Sequence, residues 1–157
     1  MTKRRIISTP QNPATSDEDW LDIGCAASVE VTSEETGFPI ESALLAETTQ
    51  GWRAADSGNQ TIRLIFDEPR RLRRIWLVFE DNQGGRTQEF PLRWSPDGGR
   101  SLRETVSQQW TFSQLDAVQE IENYAVELSE VAVLELNISP DKSGGKIRPS
   151  LANLRLA

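Results

Sequence analysis

The chain of 157 residues has no histidine, one cysteine, one methionine and one tyrosine. Without histidine it lacks the commonest general base, the usual zinc ligand and the base of nucleophilic triads. A single cysteine, Cys25, cannot close an intrachain disulfide, which fits a reducing compartment. With no histidine to activate it, Cys25 is expected to be a buried structural thiol at the start of a strand. No run approaches the roughly 18 apolar residues of a membrane helix, and no membrane contact is expected. The basic cluster Lys3-Arg4-Arg5 leads into Ser8-Thr9-Pro10-Gln11-Asn12-Pro13, where a secretion signal would carry its apolar segment, so a cytoplasmic location is expected. Cations are also outnumbered: 17 Lys and Arg against 24 Asp and Glu give a net charge of −7, which argues against nonspecific binding to nucleic acid. Gly84-Gly85, Gly98-Gly99 and Gly144-Gly145 read as turn formers, and none builds a phosphate-cradling loop. Acid pairs such as Glu34-Glu35 and Glu80-Asp81 read as solvated loop charges. The chain is therefore expected not to be an enzyme and to need no cofactor and no metal ion.

What the sequence does contain is apolar alternation of period two. From Ile75 to Gly98 it reads as two strands joined by a short glycine turn and closed by Ser95-Pro96-Asp97-Gly98. Ile75, Leu77 and Phe79 share one face, while Trp76 and Val78 make the other face apolar too, as in a covered central strand. Ala26–Thr32 has strand character, Pro39–Ala46 suits a short helical turn or loop, and Thr61–Phe66 is a strand that Asp67-Glu68-Pro69 is expected to break. Further strands are expected over residues 87–95, 102–112, 121–128, 132–138 and 150–156. Strands at such intervals, with little helical periodicity, predict one all-β sandwich domain over residues 20–157 behind a polar, mobile arm, residues 1–19. Of five tryptophans, Trp76 and Trp94 lie inside strands and are expected in the core, whereas Trp52 and Trp110 lie nearer loops. Arg63, Arg70, Arg71, Arg73 and Arg74 fall within twelve residues and read as solvated charges guarding a corner.

Several segments, in order, resemble the discoidin or coagulation-factor type C domain of the galactose-binding-like superfamily. Ala27-Ser28 with Pro39-Ile40-Glu41-Ser42-Ala43 resembles its opening strand and the segment after it. Gly51-Trp52-Arg53-Ala54 resembles the tryptophan that follows the first long loop. Gln60–Phe66 with Leu72-Arg73-Arg74-Ile75 resembles a strand pair, Ser95-Pro96-Asp97-Gly98 the "S-x-D-G" turn, and Pro149–Leu154 the closing strand. The resemblance implies a jelly-roll β-sandwich of about eight antiparallel strands. Two departures stand out. The family's calcium loop carries an Asp-Gly pair, whereas Ala43–Trp52 holds Glu47 as its single acid. Sugar-binding members place Arg and Asn before the "S-x-D-G" hairpin, where this chain has Glu80-Asp81-Asn82-Gln83.

Family members bind mostly through loops at one end of the sandwich, which here implies residues 33–39, 47–53 and 80–86. The expected function is a noncatalytic module that binds carbohydrate there. Trp52 would be the stacking platform, and Arg53, Asn82, Gln83 and Arg86 would be donors to hydroxyls. The alternative is an intracellular protein–protein interaction module. The expected partner is thus a carbohydrate or a protein, and the sequence leaves the oligomeric state open.

Overall fold

A computed structural model describes residues 20–45, 51–81, 86–112, 118–140 and 146–157; the expected arm lies outside them. A helical turn α1 (Ile23–Ala26) precedes β1 (Ala27–Val31), and a second, α2 (Glu41–Leu44), precedes β2 (Trp52–Arg53). Then come β3 (Gln60–Asp81), β4 (Arg86–Ser95), β5 (Arg103–Phe112), β6 (Val118–Ile138), β7 (Ser150–Leu151) and β8 (Asn153–Leu156). The main sheet runs β1-β3-β6-β4-β5 with β8 added to β3, and β2 pairs with β7. Every pairing is antiparallel.

Two strands make both walls of the sandwich. Along β3 the residues of the core are first even-numbered, Ile62, Leu64, Phe66 and Leu72, and then odd-numbered, Ile75, Leu77 and Phe79. Side chains alternate strictly along a strand, so this switch requires an inserted residue. The register supplies it: β3 advances ten residues from Ile65 to Ile75 while its partner β6 covers nine, from Val133 to Tyr124. The shifts fall between Ile65 and Arg74. Asp67-Glu68-Pro69, expected to end a strand, lies inside this irregular stretch of one continuous strand. Both halves feed a single core, which also takes Leu92, Leu134, Leu136, Leu154 and Leu156.

The strands on either side of Gly84-Gly85 are not hairpin partners. Among the described residues β3 pairs with β1, β6 and β8, and β4 pairs with β5 and β6. Their inward faces meet instead through Phe79 and Phe90, whose ring centroids are 4.6 Å apart. Such a pair contributes about 0.5–1.5 kcal/mol beyond its buried area.

The outward face of the β1-β3-β6-β4 region is polar. One row across it reads Glu30, Arg63, Glu135, Arg93. Arg63 reaches Glu30 at 3.1 Å and Glu135 at 2.8 Å, and Arg93 lies 3.7 Å from the other Glu135 oxygen. Opposite charges directly across strands favour this register over a slipped one. The Ser95–Ser101 turn is held by its own polar groups. Ser95 Oγ donates to Asp97 Oδ1 at 2.6 Å and accepts from the N–H groups of Asp97 and Gly99. Ser101 donates its N–H and hydroxyl to the same carboxylate. These donors, Ser95 first, hold the Asp97 pKa down to about 2.

Cys25 departs from expectation. It is exposed on α1. Asp22 beside it, through a hydrogen bond and its charge, raises the thiol pKa and so works against thiolate formation. The described ends of the domain meet: Leu21 N–H donates to Leu156 O at 2.7 Å, and the N–H groups of Arg73 and Arg74 donate to Ala157 O.

An acid occupies the inward face of β6. Glu120, opposite Phe79, is 2% exposed, and burial followed by the adjacent Glu122 carboxyl pushes its pKa up to about 9. A folded pKa above the ordinary 4.5 means that the unfolded chain loses this proton first. The stabilising proton is therefore fully effective below the ordinary value, and stability declines as pH rises from there towards the folded pKa. Glu120→Gln is expected to flatten that decline. It should raise the urea midpoint most on the alkaline side of neutrality, with little change under acid conditions.

Candidate functional site

One end of the sandwich is built on Gln60, which heads β3 on the inward parity of Ile62 and Leu64 and is buried. Its Oε1 accepts hydrogen bonds from Thr32 Oγ1 at 2.6 Å and Ser33 Oγ at 2.8 Å. Ser33 ties the loop further: its Oγ accepts from the N–H groups of Ala55 and Asp56, and its carbonyl accepts from the Trp52 indole N–H at 3.0 Å. A buried amide with its acceptor filled twice fixes where both loops leave the sheet.

On this base the segment of residues 33–39 closes over β2. Glu35 N–H donates to Arg53 O, and Arg53 N–H donates to Phe38 O. The β2–β7 pair, Trp52 with Leu151 and Arg53 with Ser150, carries the end of β3 into the cluster, because Ser150 Oγ donates to Glu80 O. Gly51 makes that approach possible. Its φ is +76°, and a Cβ there would lie 2.9 Å from the Leu151 carbonyl. The three segments expected at the binding end thus converge in their described parts. They are joined by a fourth that sequence reasoning missed, residues 146–151, whose Arg148 lies 3.1 Å from Glu35.

The expected site residues fare unequally. Trp52 is 1% exposed and belongs to the core, so its ring offers no face to a ligand. Its place beside a loop misled, because the two-residue strand β2 turns the ring inward. Arg53 remains at the surface of the cluster, its guanidinium 4.9 Å from the centre of the Phe38 ring. Its Nε is buried with no hydrogen-bond partner among the described residues, so stacking holds the group. Asn82 and Gln83 lie outside the described residues. Arg86 begins β4, opposite Phe112, and its backbone alone is described. Trp110 likewise lies in β5 with only its backbone described.

Phe38, Glu35, Arg148 and Gln60 were not singled out as site residues. Gln60 had a legible signal, a polar side chain on the inward parity of a strand. Phe38 and Arg148 had none, since their role comes from long-range loop packing. The described groups at this end are a guanidinium lying on an aromatic ring, an Arg–Glu pair and the exposed Glu34, whose Oε1 accepts from Ile40 N–H. Planar donors and acceptors of both signs suit hydroxyl-rich ligands better than a single strong charge.

No protein-family profile matches the sequence, and no curated protein matches it. Solved structures do match. The chain superposes on the family 32 carbohydrate-binding module of Clostridium perfringens NanJ in complex with galactose, with TM-score 0.66 and 14% identity, covering 87% of this chain and 96% of that one. It superposes on CpGH89CBM32-5 from Clostridium perfringens, in complex with GalNAc-β-1,3-galactose, with TM-score 0.60 and 16% identity over 87% and 98% of the two chains. The family 32 module of AlyQ in complex with 4,5-unsaturated mannuronic acid gives TM-score 0.59 and 18% identity over 84% and 95%. At such identities the likeness is one of fold, and the chain has the galactose-binding-like β-sandwich fold that its sequence resembles.

Trp52→Ala is expected to lower stability by about 3–5 kcal/mol, the usual cost of emptying a large aromatic site, measured by urea unfolding. A loss of that size would mark Trp52 as structural.

Proposed function

We propose that the chain is a noncatalytic carbohydrate-binding module whose ligand lies at the loop end. Arg53 on Phe38 forms the centre of the site, and Glu35 and Arg148 form its flank. The observation that carries the reading is the convergence of these groups, at one end, on a fold shared over more than four-fifths of the chain with modules bound to sugars. Arg53 supports the reading further. Its guanidinium lies over the Phe38 ring at the surface of the cluster, and such a planar group can donate in parallel to ligand hydroxyls. Phe38 takes the aromatic role first expected of Trp52. Asn82, Gln83 and Arg86 belong to the proposal as further donors from the β3–β4 connection.

Isothermal titration against a panel of galactosides and uronic-acid oligosaccharides tests the reading. Losing a hydrogen bond from a charged group costs about 1.5–3 kcal/mol, so Arg53→Ala is expected to weaken binding roughly tenfold or more. Arg148→Ala is expected to act in the same direction. The unfolding midpoint should stay within a few degrees. Binding unaffected by either substitution would move the site elsewhere. Absence of binding across the panel would favour a protein partner.

A further inference from the structure

Glu35 and Phe38 stand on the segment of residues 33–39, Arg148 stands on residues 146–151, and the amide of Gln60 is tied to the supports of both. Its Oε1 accepts from Thr32 Oγ1 at 2.6 Å and from Ser33 Oγ at 2.8 Å, where the first segment leaves the sheet. Its Nε2 donates to Asp56 O at 3.4 Å. A carbonyl only accepts, so the amide cannot be turned end for end. Asp56 lies in the turn of residues 54–58, which holds both neighbours of Arg148. Ala54 N–H donates to Pro149 O at 2.9 Å, and Gly58 N–H donates to Ile147 O at 3.1 Å. Ser33 closes the circuit, because its Oγ also accepts from the N–H groups of Ala55 and Asp56. One amide thus carries the Glu35 side on its oxygen and the Arg148 side on its nitrogen. The two sides meet where Arg148 lies 3.1 Å from Glu35.

We propose that Gln60 is a positioning residue of the loop-end site: it touches no ligand, and its amide sets the separation of Glu35 and Arg148 around Arg53 and Phe38. The proposal rests on the loop-end reading of the binding site. Stability alone gives no reason for a polar group at this position. Gln60 shares the inward parity of Ile62 and Leu64 and is 5% exposed, so an apolar side chain would fill the space. The hydroxyls that it serves belong to Thr32, which is exposed, and Ser33, which is partly so, and water can serve both. What water does not do is hold two segments at one separation. A buried amide of fixed direction does, because displacing either segment leaves one of its atoms unpaired. Groups held in place before binding need less ordering when the ligand arrives.

Two substitutions of similar size test the proposal through hydrogen exchange without ligand and titration with the galactoside and uronic-acid panel. Gln60→Met fills the space and removes the acceptor. It is expected to speed exchange at the amides of Glu35, Ala54 and Gly58 by about tenfold or more, while Leu64 and Leu134 in the β3–β6 ladder keep their protection. Binding should weaken at least about fivefold, with little change in the unfolding midpoint. Gln60→Glu keeps an oxygen for both hydroxyls, and burial favours the protonated carboxyl, which can donate to Asp56 O as the amide does. It is expected to restore exchange and affinity to near the wild-type values. Folding near neutrality then requires uptake of a proton, so its unfolding midpoint should fall. Affinity and stability would thus rank the two variants in opposite orders. Exchange and affinity unchanged in Gln60→Met, or losses that follow the unfolding midpoint in both variants, would overturn the proposal. A wild-type chain that binds no sugar of the panel would defeat the loop-end reading alone, and exchange would still decide whether Gln60 sets the separation.

Discussion

The pairing of β3 with β6 is the constraint on which the other features rest. Each strand is about twenty residues long, and neither could keep one face buried over that length in a flat sheet. The inserted residue between Ile65 and Ile75 lets β3 change which parity faces inward while β6 keeps its own. One strand pair therefore supplies both walls around a single core. It also fixes the loop geometry. Gln60 and Glu80, twenty residues apart in sequence, are linked through the loops: Gln60 bonds Ser33, whose carbonyl accepts from Trp52, and the β2–β7 pair leads to Ser150 on Glu80 O. The Gln60 hydrogen bonds to Thr32 and Ser33 and the Ser150 bond to Glu80 then attach the loops to opposite ends of the same strand.

The two outward faces divide different kinds of chemistry between them. On β1-β3-β6-β4 the charges are spent on each other: Arg63 satisfies two acids, and Glu135 is nearly buried under two guanidiniums. Such a row fixes register and leaves little charge for a partner. On β8-β3-β6 Trp76, expected in the core, instead stays half-buried on the outward face and packs on Trp20, and Arg74 beside them is bonded to Asn123. The same strand, β3, thus carries a self-satisfied polar surface on one half and an amphipathic one on the other.

Much of the wall structure was legible in the sequence, because alternation reports burial directly. Ile62, Leu64, Phe66, Ile75, Leu77 and Phe79 all face inward as their spacing predicts. Alternation carries no information about which strand lies alongside, so the segments flanking Gly84-Gly85 read as a hairpin when their rings in fact meet in the core. Pro69 read as a break because proline removes a ladder donor, yet in an irregular stretch that donor is not needed. The errors at Trp52, Trp76 and Cys25 share a cause. Residue type and distance from a turn do not determine which way a side chain points once loops and sheet edges are packed. At the loop end the segments named from the sequence do come together in their described parts, and Arg53 lies among them, but its neighbours Phe38, Glu35 and Arg148 arise from contacts between residues distant in the chain.

The meeting of Leu21 with Leu156 has a mechanical consequence. Any tether pulling on the two described ends would draw them apart at a single edge, where β8 is held to β3 through four register positions. Under that load the hydrogen bonds open one after another, as a zipper does, instead of sharing the force as they would if strands were sheared lengthwise. The first material to leave would be β8 and Trp20, which carry part of the aromatic face, while the long β3–β6 ladder stayed intact behind them. The domain would yield to traction in two stages, and its outer sheet face would register tension before its loop end did.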